Sequence, residues 1–145
     1  MGTYRKASHV TYDCRYHIVW ITKYRRKILK KKLRERLEAI LRMKCKEMYI
    51  DVISIGIEED HVHIYCSMPH SQHISYVLQQ LKGGSSRIIR QEYEEYLREY
   101  YWKPFLWAVG YFVATVGEIT HETVKKYVEQ QGKQECLGED IKVYL

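Results

Sequence analysis

Apolar residues recur along this chain with two different periods, and the switches between them outline a small α+β domain. Tyr12 to Thr22 is rich in aromatic and β-branched side chains and predicts a first strand. From about Leu29 to Met48, the residues Leu29, Leu33, Leu37, Ile40, Leu41, Cys45 and Met48 fall at spacings of three and four, which predicts a helix with one apolar stripe laid on a sheet. Asp51 to Ile57 predicts a second strand, with Gly56 read as a bulge or a close backbone approach. The acidic turn Glu58-Glu59-Asp60 leads into a third strand from His61 to Met68, so these two strands are expected to pair as an antiparallel hairpin. Pro69 ends the third strand. Ile74, Val77, Leu78, Leu81, Ile88 and Ile89 then mark a helical region running to about Tyr100.

Gly83-Gly84-Ser85-Ser86 interrupts that pattern, and two glycines inside a helix cost about 2 kcal/mol relative to alanine. A break, or the close approach of another backbone, is expected there. Phe105 to Val116 predicts a fourth strand, Gly117 a joint, and Thr120 to Gly132 a short helix with Thr120 as N-cap and Gly132 as its stop. Ile141 to Leu145 offers a further edge strand. The order is β-α-β-β-α-β with an appended C-terminal helix, the ferredoxin-like (RRM-like) arrangement of an antiparallel sheet with two helices on one face. All 145 residues read as a single domain: a core over about 10–117, the helix over about 119–132 and a tail over 133–145.

Two elements carry candidate chemistry. On a strand, His61 and His63 project from the same face, roughly 6.6 Å apart along the backbone, while Val62 and Ile64 face the apolar side. Two imidazoles so placed can converge on one divalent metal, although a lone His-x-His pair is more often two half-buried histidines with ordinary hydrogen-bond partners. His70 and His73, in the connection after Pro69, offer a rival cluster. On the appended helix, Tyr127 and Gln131 stand four apart and share a face. A tyrosine hydroxyl, with a pKa of about 10, needs a metal-polarised target or a base to act as a nucleophile. Taken alone, such a tyrosine more often packs.

Composition narrows the class. Four widely scattered cysteines (Cys14, Cys45, Cys66, Cys136) without a Cys-x-x-Cys pair argue against a zinc ribbon or a disulfide framework. No apolar run approaches a membrane span and the N-terminus lacks a secretory core, so a cytoplasmic protein is expected. Between Lys23 and Arg36 nine Lys/Arg meet one acid, a local +8 in a chain of net +6. One concentrated basic segment with Tyr24 interleaved points to a polyanion, nucleic acid first.

Five blocks together resemble the single-tyrosine transposases of the HUH superfamily, those of small insertion sequences that move as single-stranded DNA. They are His17-Ile18-Val19-Trp20 with Lys23-Tyr24-Arg25-Arg26, then Asp60-His61-Val62-His63, then Leu81-Lys82-Gly83-Gly84-Ser85-Ser86-Arg87, then Trp107 through Gly117, and Tyr127 with Gln131. The resemblance implies that His61, His63 and Gln131 hold Mg²⁺ or Mn²⁺, and that Tyr127 attacks the scissile phosphate to give a 5′-phosphotyrosine and a free 3′-OH. It further implies homodimers that recognise hairpins in single-stranded DNA. Tyr127 and Gln131 of one chain are expected to complete the histidine site of the other. Lys23, Tyr24, Arg25, Arg26, Lys27 and Arg87 are the expected DNA contacts. Two other readings stand beside it: a domesticated endonuclease or repeat-binding relative, and a non-catalytic ferredoxin-like module that binds single strands.

Overall fold

The computed structural model describes residues 4–8, 10–115, 122 and 124–131. A short hairpin, β1 (Arg5–Ala7) and β2 (Val10–Tyr12), precedes the main sheet. It was not expected from the sequence, because three-residue strands show no readable alternation. β3 (Arg15–Ile21), α1 (Lys31–Glu47), β4 (Asp51–Ile57), β5 (His61–Ser67), α2 (Ile74–Glu92), α3 (Glu94–Arg98) and β6 (Phe112–Thr115) follow. The main sheet has the order β4-β5-β3-β6, antiparallel throughout. This is the expected α+β, ferredoxin-like sheet.

Strand alternation divides the sheet into two faces. Ile18 and Trp20 of β3 and Val62, Ile64 and Cys66 of β5 pack with Leu33, Leu37 and Leu41 of α1 and Val77, Leu78 and Leu81 of α2. Each such fully buried side chain contributes about 1.5–3 kcal/mol. The other face carries His17, Val19 and Ile21 of β3 and His61, His63 and Tyr65 of β5. A helix over 124–131, α4, covers part of it, with Val128 packed in a second cluster with Val19, Ile21 and Ala108. The appended helix therefore lies on the histidine side.

Three boundaries differ from expectation. The bulge in β4 falls between Val52 and Ser54, while Gly56 pairs in register with His63. α2 runs unbroken through Gly83 and Gly84; the helix breaks at Tyr93 instead (φ −120°). A Cβ at Gly84 would lie 2.7 Å from Lys44 Cε, so the close approach is that of a lysine stem from α1, and a Cβ at Gly83 would meet nothing within 4 Å. Of the strand expected over 105–116, only Phe112–Thr115 is regular, with a single bridge between Thr22 and Trp107 before it. The preceding loop is fixed from outside: Lys82 Nζ donates to the carbonyls of Ala108 (2.8 Å) and Gly110 (2.7 Å), and Trp107 Nε1 donates to Ser85 Oγ (3.0 Å). Those bonds account for much of the Lys82 to Ser85 motif. Val116, Gly117, Thr120, Gly132 and the tail with its expected edge strand lie outside the described residues. Among the described residues, no helix is long and apolar enough to cross a membrane.

Candidate active site

The site starts from strand register. His61 and His63 both stand on the face turned from α1 and α2, and β3 pairs so that Val19 lies opposite His63 and His17 opposite Tyr65. His17 is thus the diagonal neighbour of His63, its Nδ1 lying 3.2 Å from His63 Nε2 and its ring stacked on Tyr65 at 4.4 Å. Sequence reasoning missed His17 as a site residue. Only the parity of β3 relative to β5 reveals it, and that requires the register.

His61 is held more firmly. Its Nδ1–H donates to Asp60 Oδ1 (2.8 Å), and the second oxygen of Asp60 accepts Arg25 Nε (2.9 Å). Burial pushes the Asp60 carboxyl up, but the hydrogen bonds from His61 and Arg25 outweigh it, and the group sits below its ordinary value. The ionised carboxylate accepts only, so Nδ1 of His61 carries a proton, and in the neutral ring the lone pair is the one on Nε2. Burial first, then the neighbouring His17 and His61, push His63 down, and burial pushes His17 down. These two rings are accordingly neutral at neutral pH, the form that binds metal.

A cavity of about 910 Å³ opens over these rings, lined among others by His17, His61, His63, Arg25, Lys27 and Arg34. Gly56, directly opposite His63, leaves its floor open. From the basic segment, only Arg25, Lys27 and Arg34 reach this lining, and the acidic turn Glu58-Glu59-Asp60 answers them. Lys23 is buried, its ammonium 4.8 Å from the centre of the Phe105 ring, and Tyr24 packs against Phe105 and Tyr101. Those two residues support the loop. Arg26 lies over Tyr24 at 5.8 Å, and Arg87 is exposed on α2, away from the cavity lining.

α4 meets the cavity with Val124, Lys125, Val128 and Glu129. At 100° per residue, Tyr127 and Gln131 fall beside Val124, on the flank of α4 turned away from Lys125 and Glu129. Tyr127 packs on Phe112 (5.4 Å), and Gln131 Nε2 donates to the Val109 carbonyl (2.9 Å). The structure therefore gathers the two expected histidines under the expected helix, but turns Tyr127 and Gln131 toward β6. Among the described residues, no three His, Cys, Asp or Glu side chains form a metal cage, and this holds for His70 and His73 as well. The locked His61 and neutral His63 fit two positions of a divalent first-row ion, for which nitrogen donors favour Mn²⁺ over Mg²⁺. Gln131, engaged with Val109, does not supply a third in this arrangement.

Comparison with known proteins agrees with this architecture. The family described as "Transposase IS200 like" matches residues 10–131. The transposase of insertion sequence element IS200 from Salmonella typhimurium is 29% identical over 143 residues, 99% of this chain and 93% of that protein. The ISDra2 transposase TnpA of Deinococcus radiodurans is 33% identical over 131 residues, 90% of this chain and 93% of that one. A crystal structure of a D. radiodurans protein described as a transposase superposes with TM-score 0.81 at 28% identity, covering 88% of this chain and 97% of that one. A tyrosine transposase solved with a REP hairpin shares the fold, with TM-score 0.55 at 11% identity, over 88% of this chain and 68% of that one. With the family model matched over residues 10–131 and a 33% identical relative matched over 93% of its length, the chain belongs to the IS200-like transposase family.

Proposed function

We propose that this protein is a divalent-metal-dependent transposase that cleaves and rejoins single-stranded DNA at hairpin-marked ends in the cytoplasm, through a phosphotyrosine at Tyr127. The observation that carries the reading is the pair of metal-competent imidazoles, one locked by Asp60, lying beneath the helix that bears Tyr127. Bound Mg²⁺ or Mn²⁺, held by His61, His63 and the Gln131 amide oxygen, would neutralise charge on the scissile phosphate.

The chain's own groups do the rest. Arg25, Lys27 and Arg34 line the cavity and offer charge to the phosphates on either side of the break. Tyr127 Oη loses its proton and attacks phosphorus, the P–O3′ bond breaks, and the departing O3′ takes up a proton to become a free 3′-OH. The 5′ phosphate stays on the tyrosine as an ester. Attack by another strand's 3′-OH reverses the step and frees Tyr127, so rejoining consumes no nucleotide cofactor.

Within one chain the nucleophile faces Phe112 and the cavity faces Lys125 and Glu129. That geometry favours a symmetric dimer in which one chain's Tyr127 and Gln131 serve the other's His61 and His63. Co-expression of a His61→Ala/His63→Ala chain with a Tyr127→Phe chain tests it. Each variant alone is expected to form no denaturant-resistant adduct with a hairpin-bearing single strand and Mn²⁺. The mixed dimer is expected to regain it, with the DNA on the chain lacking the histidines. A dead mixed dimer beside an active wild type would refute the shared site, and an adduct by Tyr127→Phe alone would refute the nucleophile.

A further inference from the structure

The end of α1 carries a residue that folding alone does not explain. Ile50 N–H bonds to the Cys45 carbonyl (2.9 Å) and Tyr49 N–H to the Lys46 carbonyl (3.1 Å), the paired bonds of a Schellman stop. In that motif the residue at position 49 must adopt the left-handed conformation, where glycine is the usual occupant. Here Tyr49 holds φ +58°, a conformation that its Cβ disfavours. Burial does not compensate, since the residue is 77% exposed. Its backbone is clamped nonetheless: Arg5 Nη2 donates to the Tyr49 carbonyl (3.0 Å), while Arg5 Nη1 holds Asp51 (3.0 Å) and the Ser67 carbonyl (2.9 Å).

An aromatic ring is thus presented to solvent from a clamped backbone, at a conformational cost. Tyr49 also stands in charged company. Arg42 and Lys46 precede it by seven and three residues, on one face of the last turns of α1, and with Arg5 they line a shallow cleft of about 500 Å³. The acids there are Asp51, paired with Arg5, and Glu38, paired with Arg42 at 3.2 Å. The cleft lies by Asp51 and Ser67, at the opposite end of β5 from His61, roughly 20 Å along the strand.

We propose that Tyr49, with Arg42 and Lys46, is a second contact for single-stranded DNA: an unpaired base stacks on the Tyr49 ring while the two cations hold flanking phosphates. An exposed aromatic beside clustered cations is the combination that grips unpaired nucleotides with little sequence preference. Arg5 holds the backbone that carries the ring. The site would anchor DNA beyond the cleavage point, so the inference rests on the reading of single-stranded DNA as the substrate. It does not depend on which residue performs the cleavage.

The sign of the stability change makes the test sharp. Tyr49→Gly removes the backbone conflict, so its melting temperature is expected to rise by about 2 °C. Its affinity for fluorescein-labelled (dT)20, read by anisotropy in chelator with Tyr127→Phe protein, is expected to fall about tenfold. Tyr49→Phe should retain binding, and Arg42→Ala/Lys46→Ala should weaken it and flatten its salt dependence. Unchanged binding by Tyr49→Gly, a lowered melting temperature, or no binding of (dT)20 by the parent at low salt would each overturn the site. Covalent adduct formation by wild-type protein, measured in parallel with a hairpin-bearing strand, keeps the two readings apart. Tyr49-dependent binding without any adduct would sink the catalytic reading alone, and an adduct with Tyr49-independent binding would sink this one alone.

Discussion

Asp60→Asn isolates the contact that makes His61 a metal ligand. The carboxylate accepts His61 Nδ1–H at 2.8 Å and Arg25 Nε at 2.9 Å, with its side chain only 12% exposed. Asparagine keeps the volume and loses the charge. Its amide can also present N–H to the ring, which would move the imidazole proton to Nε2 and remove the lone pair a metal needs. Removing such a supporting partner typically weakens metal binding by about 10–100-fold, roughly 1.4–2.8 kcal/mol. The stability change should be smaller. Arg25 is 39% exposed, so its pair with Asp60 is screened and contributes about 1 kcal/mol or less. Calorimetric titration with Mn²⁺ and a thermal melt on the same sample separate the two effects. The expected result is a loss of Mn²⁺ affinity of at least about tenfold with a melting shift of a few degrees. Mn²⁺ affinity within twofold of the parent would refute the argument that the Asp60 contact sets the tautomer of His61.

Other consequences are as direct. Gly83→Ala sits in a continuous helix with open space at Cβ, so it should stabilise the fold by about 0.5–1 kcal/mol in urea unfolding, and a loss of stability would mean that the helix does break there. Burial pushes the Cys45 thiol up to about 11 and the Cys66 thiol up to about 12. Both should stay protonated at pH 8 and react with iodoacetamide far more slowly than the half-buried Cys14; equal labelling of the three, resolved by peptide mass, would contradict the packing described.

Much of this molecule was legible in its residue order, and the failures have physical causes. The β4–β5 hairpin and the common face of His61 and His63 follow from alternation alone, which a strand obeys regardless of what surrounds it. The break expected at Gly83-Gly84 did not occur because burial of Leu81, Ser85 and Ile89 on one side of α2 outweighs the local cost of two glycines. Residues 105–111 look like a strand by composition, yet Lys82 and Ser85 bind this stretch from α2, contacts that no local pattern encodes. His17 escaped notice for the same reason, since it reaches His63 only through the register of β3 on β5. The basic segment divided: Arg25, Lys27 and Arg34 face the cavity, whereas Lys23 and Tyr24 support the loop beside Phe105 and Tyr101. The helical spacing put Tyr127 and Gln131 on one face, and they share one, but which way that face turns depends on docking against Phe112 and Val109.

The most direct test of the central claim is to map the covalent bond. Wild-type protein is incubated with Mn²⁺ and a single strand bearing a hairpin and flanking sequence, the adduct is denatured and digested with protease and nuclease, and the modified peptide is sequenced by mass spectrometry. The account predicts a nucleotide joined through its 5′ phosphate to Tyr127, with formation abolished by chelator. A nucleotide on any other residue, a 3′ linkage, or full adduct yield in excess chelator would contradict it.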